Sequence, residues 1–199
     1  MRRWLVVMAK APRAGRVKTR LAADIGVAEA TRFYRTALSG LIRRLGHDPR
    51  WTTVLAVDPD PAADDPVWGR TLSMALPVAG QGRGELGQRM QRIMDSLPPG
   101  PAVIVGSDIP AIRPEHIAEA FRLLGDKNVV FGPAPDGGYW LVGQKRRPRV
   151  ARLFENVRWS TSHALADTLR NCAGLDVGYA QELSDIDGVE DWRRWRRES

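Results

Sequence analysis

A single cysteine, Cys172, stands in the 199 residues. That excludes an internal disulfide and a cysteine-based metal centre, and its place at an apparent helix end reads as packing. No apolar run approaches the length of a membrane span, so no membrane partner is expected. The opening Met1–Met8 has the outline of a signal peptide. Its apolar part is too short, however, and it meets Lys10 and Arg13 with no small-residue cleavage pattern before them. It reads as the first core strand of a cytoplasmic protein. Lysine is scarce: only positions 10, 18, 127 and 145 carry it among 30 basic residues. Where arginine is the default, a lysine marks a compact point charge, and Lys10 and Lys18 share one early loop. Internal repeats and low-complexity tracts are also lacking, and no domain boundary stands out, so residues 1–199 read as one domain.

What is present begins with charge. The formal net charge is +7, which suits anionic partners such as nucleotides, phosphorylated metabolites or nucleic acid. Two dense runs, at 145–149 and 193–197, read as solvated faces. Trp192 and Trp195 offer stacking surfaces for bases, but three apart on a terminal helix they are expected to pack inward. A nucleic-acid module is thus the least favoured reading.

Pro101–Pro110 organises the chain. Ala102–Val105 is a short β-branched run typical of a strand buried on both faces. Gly106 cuts it, and Ser107 and Asp108 follow at the carboxyl end, where open α/β sheets bind ligands. Asp108 is either a ligand-binding carboxylate or a cap of the next turn.

Upstream, Trp4–Met8 is a strand. The loop from Ala9 to Leu21 bears Gly15 and repeated positive charge, fit to cradle phosphates or simply to lie exposed. Apolar residues recur at helical spacing over Val27–Leu45, and Thr52–Val57 is a second strand. A polar loop over 60–68 and a third strand over Thr71–Val78 are expected. The run Gln81–Met90, with Gly82, Gly84 and Gly87, permits close backbone approach to a flat ligand, or is a flexible loop, before a helix to about Leu97.

Downstream, Pro114 opens a helix ending near Gly125, and Asn128–Phe131 is another buried strand. Asp136-Gly137-Gly138 signals a turn into a return strand at Tyr139–Val142. Asp136 is either a turn residue or a carboxylate beside Asp108, if its strand neighbours the central one. A helix is expected to begin at Val150–Phe154. Trp159–Ser162 reads as the N-cap of a helix to about Asn171, and His116 and His163 as surface residues. Asp176–Tyr179 is a late edge strand. Asp185 and Asp187 are expected to split between the two sides of the chain, so that at most one faces the cleft, before a last helix. Alternating strands and helices predict a three-layer α/β/α domain with a mostly parallel sheet.

These segments together resemble the glycosyltransferase-A, or nucleotide-diphospho-sugar transferase, fold. The matching pieces are Lys10-Ala11-Pro12 through Gly15–Leu21, Gly84–Met90, Gly106–Pro110, Gly132–Ala134 with Asp136–Tyr139, Trp159–Thr161, and Asp185–Asp187 with Glu190-Asp191. More closely they resemble a bacterial glycosyltransferase family associated with radical-SAM and selenodomain proteins. That family is similar to molybdenum-cofactor nucleotidyltransferases and phospholactate guanylyltransferases.

The resemblance implies that Asp108, with Asp187 and Asp185, binds Mg²⁺ or Mn²⁺. It also implies that two loops hold the nucleotide. Ala9, Lys10, Gly15 and Lys18 come from the first, and Gln81, Gly82, Gly84, Gly87 and Arg89 from the second, with Ser107 beside them. Two departures stand out: Gly188 replaces a threonine, losing a hydroxyl that could orient Asp187, and Glu85 replaces an aspartate.

Lys18 and Arg20 would add fixed positive charge where charge develops in a phosphate leaving group. Asp136 would orient or deprotonate an acceptor hydroxyl. The expected activity is metal-dependent transfer from a nucleotide-sugar donor to a small-molecule acceptor. The alternative is nucleotidyl transfer onto a phosphorylated small molecule with release of pyrophosphate.

Overall fold

The computed structural model describes residues 1–64, 68 and 76–198. In chain order these form β1 (Trp4–Lys10), α1 (Thr19–Ile25), α2 (Val27–Leu45), β2 (Thr52–Asp58), a 3₁₀ turn (Asp60–Asp64) and β3 (Val78–Gly80). Then come α3 (Leu86–Ser96), β4 (Ala102–Gly106), α4 (Pro114–Asp126), β5 (Val129–Pro133) and β6 (Tyr139–Gln144). The chain closes with α5 (Ala164–Arg170), β7 (Val177–Tyr179) and α6 (Val189–Glu198).

The described strands make one sheet in the order β3-β2-β1-β4-β6-β5-β7. All its pairings are parallel except those of β6, which runs antiparallel between β4 and β5. Period-two alternation gives each central strand two buried faces. Leu5 and Val7 of β1 join Val103 and Val105 of β4 against α2 and α4, where Leu38, Leu41, Ile117 and Phe121 wait. Trp4, Val6, Ala102 and Ile104 face the opposite layer, with Met90 and Met94 of α3, Leu153 and Cys172. Sealing each such aliphatic side chain from water contributes about 1.5–3 kcal/mol. This is the expected three-layer, mostly parallel α/β/α arrangement.

A third cluster, Leu21, Ala30, Phe33, Ala37 and Ile186, receives Trp192 and Trp195 of α6. Trp195 meets Phe33 edge-on at 5.0 Å. The two tryptophans therefore pack against the α1–α2 layer, as expected. Cys172 is buried, and burial pushes its thiol up to about 11.

Several expectations need correction. No helix forms over 150–154: the Gln144 side chain donates to the Ala151 carbonyl (3.3 Å) and accepts from the Ala151 amide (2.9 Å). That exchange takes backbone groups a helix would need. The helix expected from Trp159 starts only at Ala164, with His163 as its N-cap. Thr19–Leu21, expected as the end of the loop, instead open α1 (Thr19–Ile25), held by burial of Leu21. Asp136 lies in the turn between β5 and β6: β5, before it, does not neighbour β4, whereas β6, the return strand after it, does. Most of the third strand expected over Thr71–Val78 lies outside the described residues, and β3 begins at Val78.

Among the described residues no helix is long and apolar enough to cross a membrane.

Candidate active site

The carboxyl ends of β1, β2 and β4 are level: Lys10 pairs with Asp58, and Met8 with Gly106. The loops that follow therefore open on one side of the sheet, around a cavity of about 910 Å³. Two side chains fix its floor. The Tyr34 hydroxyl, projecting from α2, accepts from the Lys10 amide (2.9 Å) and lies 3.0 Å from the Ser107 hydroxyl and 3.1 Å from the Lys10 carbonyl. It thus ties the end of β1 to that of β4. Burial is the main cause that pushes its phenol above the ordinary range, so it stays a neutral strut. Gln81, equally buried, donates its amide to the carbonyls of Ala56 (2.9 Å) and Ala9 (3.3 Å).

Asp108 lies just beyond β4. The two aspartates distant in sequence reach it because residues 180–186 are laid across the sheet ends. Ala180 donates to Phe131 (2.8 Å), Leu183 to Pro133 (3.2 Å) and Ile186 to Asp108 (3.4 Å). The Trp140 indole donates to Gln181 (2.9 Å). As a result one carboxylate oxygen from each of Asp108, Asp185 and Asp187 lies within 4.8 Å of the others. This overturns the expected split of Asp185 and Asp187. In an extended chain residues two apart share a face, and it is the intervening Ile186 that turns away into the third apolar cluster.

Lys18 lies among these acids. Its backbone is in the left-handed region (φ 47°) at the start of α1, a strain of order 1–3 kcal/mol. Its ammonium is 2.8 Å from Asp108 Oδ2 and 2.8 Å from Asp187 Oδ1, and its side chain is only 6% exposed. Burial alone would lower its pKa, but the charge of Asp108 and the hydrogen bonds to both aspartates outweigh burial and raise it. Arg20 Nη1 sits 3.4 Å from Asp187 Oδ2. Burial would raise Asp187, yet its hydrogen bond to Lys18 and the Lys18 charge bring it below the usual carboxylate range. Asp185 goes the other way, raised first by burial and then by the charges of Asp187 and Asp108.

Three carboxylates around one ammonium thus keep a surplus of negative charge. Their oxygens are the hard donors that Mg²⁺ and Mn²⁺ prefer, so the residues fit such an ion. The hydroxyl absent at Gly188 has a counterpart: Asp187 is oriented by Lys18 and Arg20, and the Gly188 amide donates to Asp191 (3.3 Å).

The other sequence-selected residues divide into two groups. Ala9, Lys10, Gln81, Gly84, Arg89, Ser107 and Asp136 line the cavity. Arg89 braces the second loop, with its guanidinium 3.1 Å from Asp58 and 2.7 Å from the Gly84 carbonyl. Glu85 caps α3, its amide donating to Gln88 (3.2 Å).

Gly15, Gly82 and Gly87 do not line the cavity. Gly82 donates its amide to Asp60 (2.7 Å). The close approach that Gly87 permits is to protein: a Cβ there would stand 2.6 Å from the Phe154 carbonyl and 2.9 Å from the Trp159 ring.

Sequence reasoning missed Tyr34 as a strut, having read it with the apolar stripe of α2. The available signal was its hydroxyl, which a buried tyrosine must satisfy. It also missed that Trp159–Ser162, read as a helix cap, forms cavity wall.

Solved structures share this architecture. A proposed nucleotide-diphospho-sugar transferase from Desulfovibrio desulfuricans G20 is 27% identical, with a TM-score of 0.90 over 100% of this chain and 88% of its own. A 4-diphosphocytidyl-2C-methyl-D-erythritol synthase from Anaerococcus prevotii is 9% identical, with a TM-score of 0.61 over 100% and 96%. Glucosyl-3-phosphoglycerate synthase from Mycobacterium tuberculosis, in complex with Mn²⁺, UDP and glucosyl-3-phosphoglycerate, is also 9% identical, with a TM-score of 0.61 over 97% and 75%. These likenesses establish the nucleotide-diphospho-sugar transferase-like fold. No curated protein matches the chain. A family model covers residues 41–161, and by that match the chain belongs to the family described as "Uncharacterized protein conserved in bacteria (DUF2064)".

Proposed function

We propose that the protein is a metal-dependent transferase that uses a nucleotide donor, and that the donor is a nucleotide-sugar. One observation carries this reading: Asp108, Asp185 and Asp187 converge around Lys18 at the carboxyl ends of β1 and β4, inside a cavity large enough for a nucleotide. Relatives add support: the 27%-identical structure is a proposed nucleotide-diphospho-sugar transferase, and the Mycobacterium tuberculosis synthase binds Mn²⁺ and UDP.

Asp108, Asp185 and Asp187 are the residues that would hold Mg²⁺ or Mn²⁺, and neutralisation of a diphosphate leaving group is the chemistry such an ion supplies. The chain's own groups do the rest. Lys10, at the end of β1, and Arg89, on α3, both line the cavity and would set positive charge along the donor phosphates. Lys18 and Arg20 hold fixed charge where the leaving group becomes more negative. In the transfer step the acceptor oxygen bonds to the anomeric carbon while the bond from that carbon to the diphosphate oxygen breaks. The nucleoside diphosphate departs with the electron pair, and the hydroxyl proton passes to Asp136.

A second reading, nucleotidyl transfer, is favoured by the density of cations between residues 10 and 20: Lys10, Arg13, Arg16, Lys18 and Arg20. Three of them, Lys10, Lys18 and Arg20, line the cavity. In this reading a substrate phosphate attacks the α-phosphate of a nucleoside triphosphate and pyrophosphate leaves.

The two readings separate in one assay. Nucleotides and nucleotide-sugars are screened for a rise in melting temperature with and without Mn²⁺, and the hits are then incubated with candidate acceptors. Release of nucleoside diphosphate from a nucleotide-sugar supports the first reading. Pyrophosphate from a nucleoside triphosphate overturns it in favour of the second.

A further inference from the structure

The lining of the cavity divides into two chemically different sets of residues. The cations that line it are Lys10, Lys18, Arg20 and Arg89, supplied by the end of β1 with the loop and helix after it, and by α3. Another part of the wall comes from the β5–β6 turn, the start of β6 and the segment before α5. There Asp136, Tyr139, Trp159, Ser160, Thr161 and Ser162 line the cavity, and no described lining residue is Lys or Arg. Asp136 is the one charged group on that wall. It lies near enough to the acidic cluster to help raise the pKa of Asp185.

This wall is built as one piece. Gly137 sits at φ +84°, and a Cβ on it would come 2.2 Å from the Ser162 carbonyl oxygen. The Leu165 amide donates to the Gly137 carbonyl (3.0 Å), clamping the turn onto the segment 159–165. The Gly138 amide donates to Asp136 Oδ1 (2.9 Å), which fixes the carboxylate. Trp159 is half-buried, braced edge-on by Tyr139 and tilted against Phe154, each 6.3 Å between ring centroids. Ser160 and Ser162, by contrast, are exposed.

We infer that this wall is the acceptor subsite and that it takes an uncharged, polyhydroxylated acceptor of the sugar or polyol class, not a phosphorylated or carboxylated one. The inference rests on the nucleotide-sugar reading for what is transferred. The identity of the acceptor rests on the wall alone. A phosphate or carboxylate on the acceptor would meet the Asp136 carboxylate with no lining cation to offset it, and desolvating an unpaired anion is costly. A pyranose or polyol presents C–H edges to the Trp159 indole and hydroxyls to the serines, threonine and Asp136. An amphipathic aromatic ring with polar neighbours suits that pairing.

The test is saturation-transfer NMR on the nucleotide-free full chain. The probes are methyl α-D-glucopyranoside and glycerol, each paired with its phosphorylated counterpart, glucose 1-phosphate and glycerol 3-phosphate. The expected result is transfer to the neutral probes and none to the phosphorylated ones. Trp159→Ala abolishes transfer to methyl glucoside. Ser162→Arg, at an exposed position, folds as the wild type does and confers binding of glucose 1-phosphate. Silence from the neutral probes, or phosphorylated probes binding as well as neutral ones in the wild type, overturns the inference. So does an unchanged glucoside signal in folded Trp159→Ala. Because no nucleotide is present, these results stand apart from the nucleotide melting screen, whose failure would strike the donor reading instead.

Discussion

The Lys18 ammonium lies 2.8 Å from Asp108 Oδ2, in the middle of the carboxylates proposed to hold a divalent ion. It reaches Asp187 at the same distance. The chain therefore carries a cation of its own within the acidic cluster, and any added ion must enter against it. At roughly 4 Å and an effective dielectric of about 20, a unit charge is worth several kcal/mol.

Lys18→Met should accordingly tighten binding of Mn²⁺ to the nucleotide-free protein by at least about tenfold on that Coulomb estimate. Transfer activity should fall by ~10²–10³, the usual loss when a charge-stabilising group is removed. Calorimetric titration with MnCl₂ reads the first effect and product release the second. Unchanged or weaker Mn²⁺ binding would show that the ammonium supports the ion instead of opposing it.

Asp108→Asn should remove the metal-dependent rise in melting temperature while leaving the fold intact. The residue is partly exposed, with a side chain 30% accessible, so losing its charge opens no cavity. Its backbone role, accepting from the Ile186 amide, survives the substitution. A variant that still gains stability with Mn²⁺ as the wild type does would move the ion elsewhere.

Much of this architecture is legible in the chain. The β-branched run before Gly106 identifies the central strand, and the apolar stripe over Val27–Leu45 matches α2 in its observed bounds. What escaped has physical causes. α1 has seven residues and one fully buried side chain, Leu21, too little periodicity to read. Residues 150–154 look helical in composition, but the side chains of Gln144 and Asn171 take up backbone groups of Ala151 and Leu153. The convergence of Asp185 and Asp187 on Asp108 depends on hydrogen bonds from 180–186 to β5 and to Asp108, which no local pattern encodes. The wall at Trp159–Ser162 was hidden because serine and threonine before a helix look like a cap.

Gly87→Ala tests how α3 is seated against that wall. The added methyl would stand 2.6 Å from the Phe154 carbonyl and 2.9 Å from the Trp159 ring, and backbone on one side has no room to yield. Overpacking of this kind costs about 1–3 kcal/mol. The expected outcome is a lower melting temperature together with a shifted Trp159 indole resonance in ¹H–¹⁵N spectra. A variant with wild-type melting and spectra would mean the helix start can slide freely.

Asp167 gives the pH prediction. It accepts two side-chain hydrogen bonds from Arg158, Nε to Oδ2 at 2.8 Å and Nη2 to Oδ1 at 2.9 Å, one from the Arg158 amide at 3.1 Å, and another from Arg170 Nη1 at 2.6 Å. Its own side chain is only 3% exposed. Hydrogen bonding to Arg158 is the main cause that holds its carboxyl well below the ordinary aspartate value. A carboxyl depressed in the folded state contributes stability that is fully present above its unfolded pKa of about 4 and fades as pH falls toward the folded value. Asp167→Asn keeps the shape and loses that contribution. Its melting temperature should lie below that of the wild type from neutral pH down to about 5, and the gap should close as pH falls below about 4. A gap that stays constant across this range would assign the loss to packing at the 158–170 junction instead of to the ion pairs.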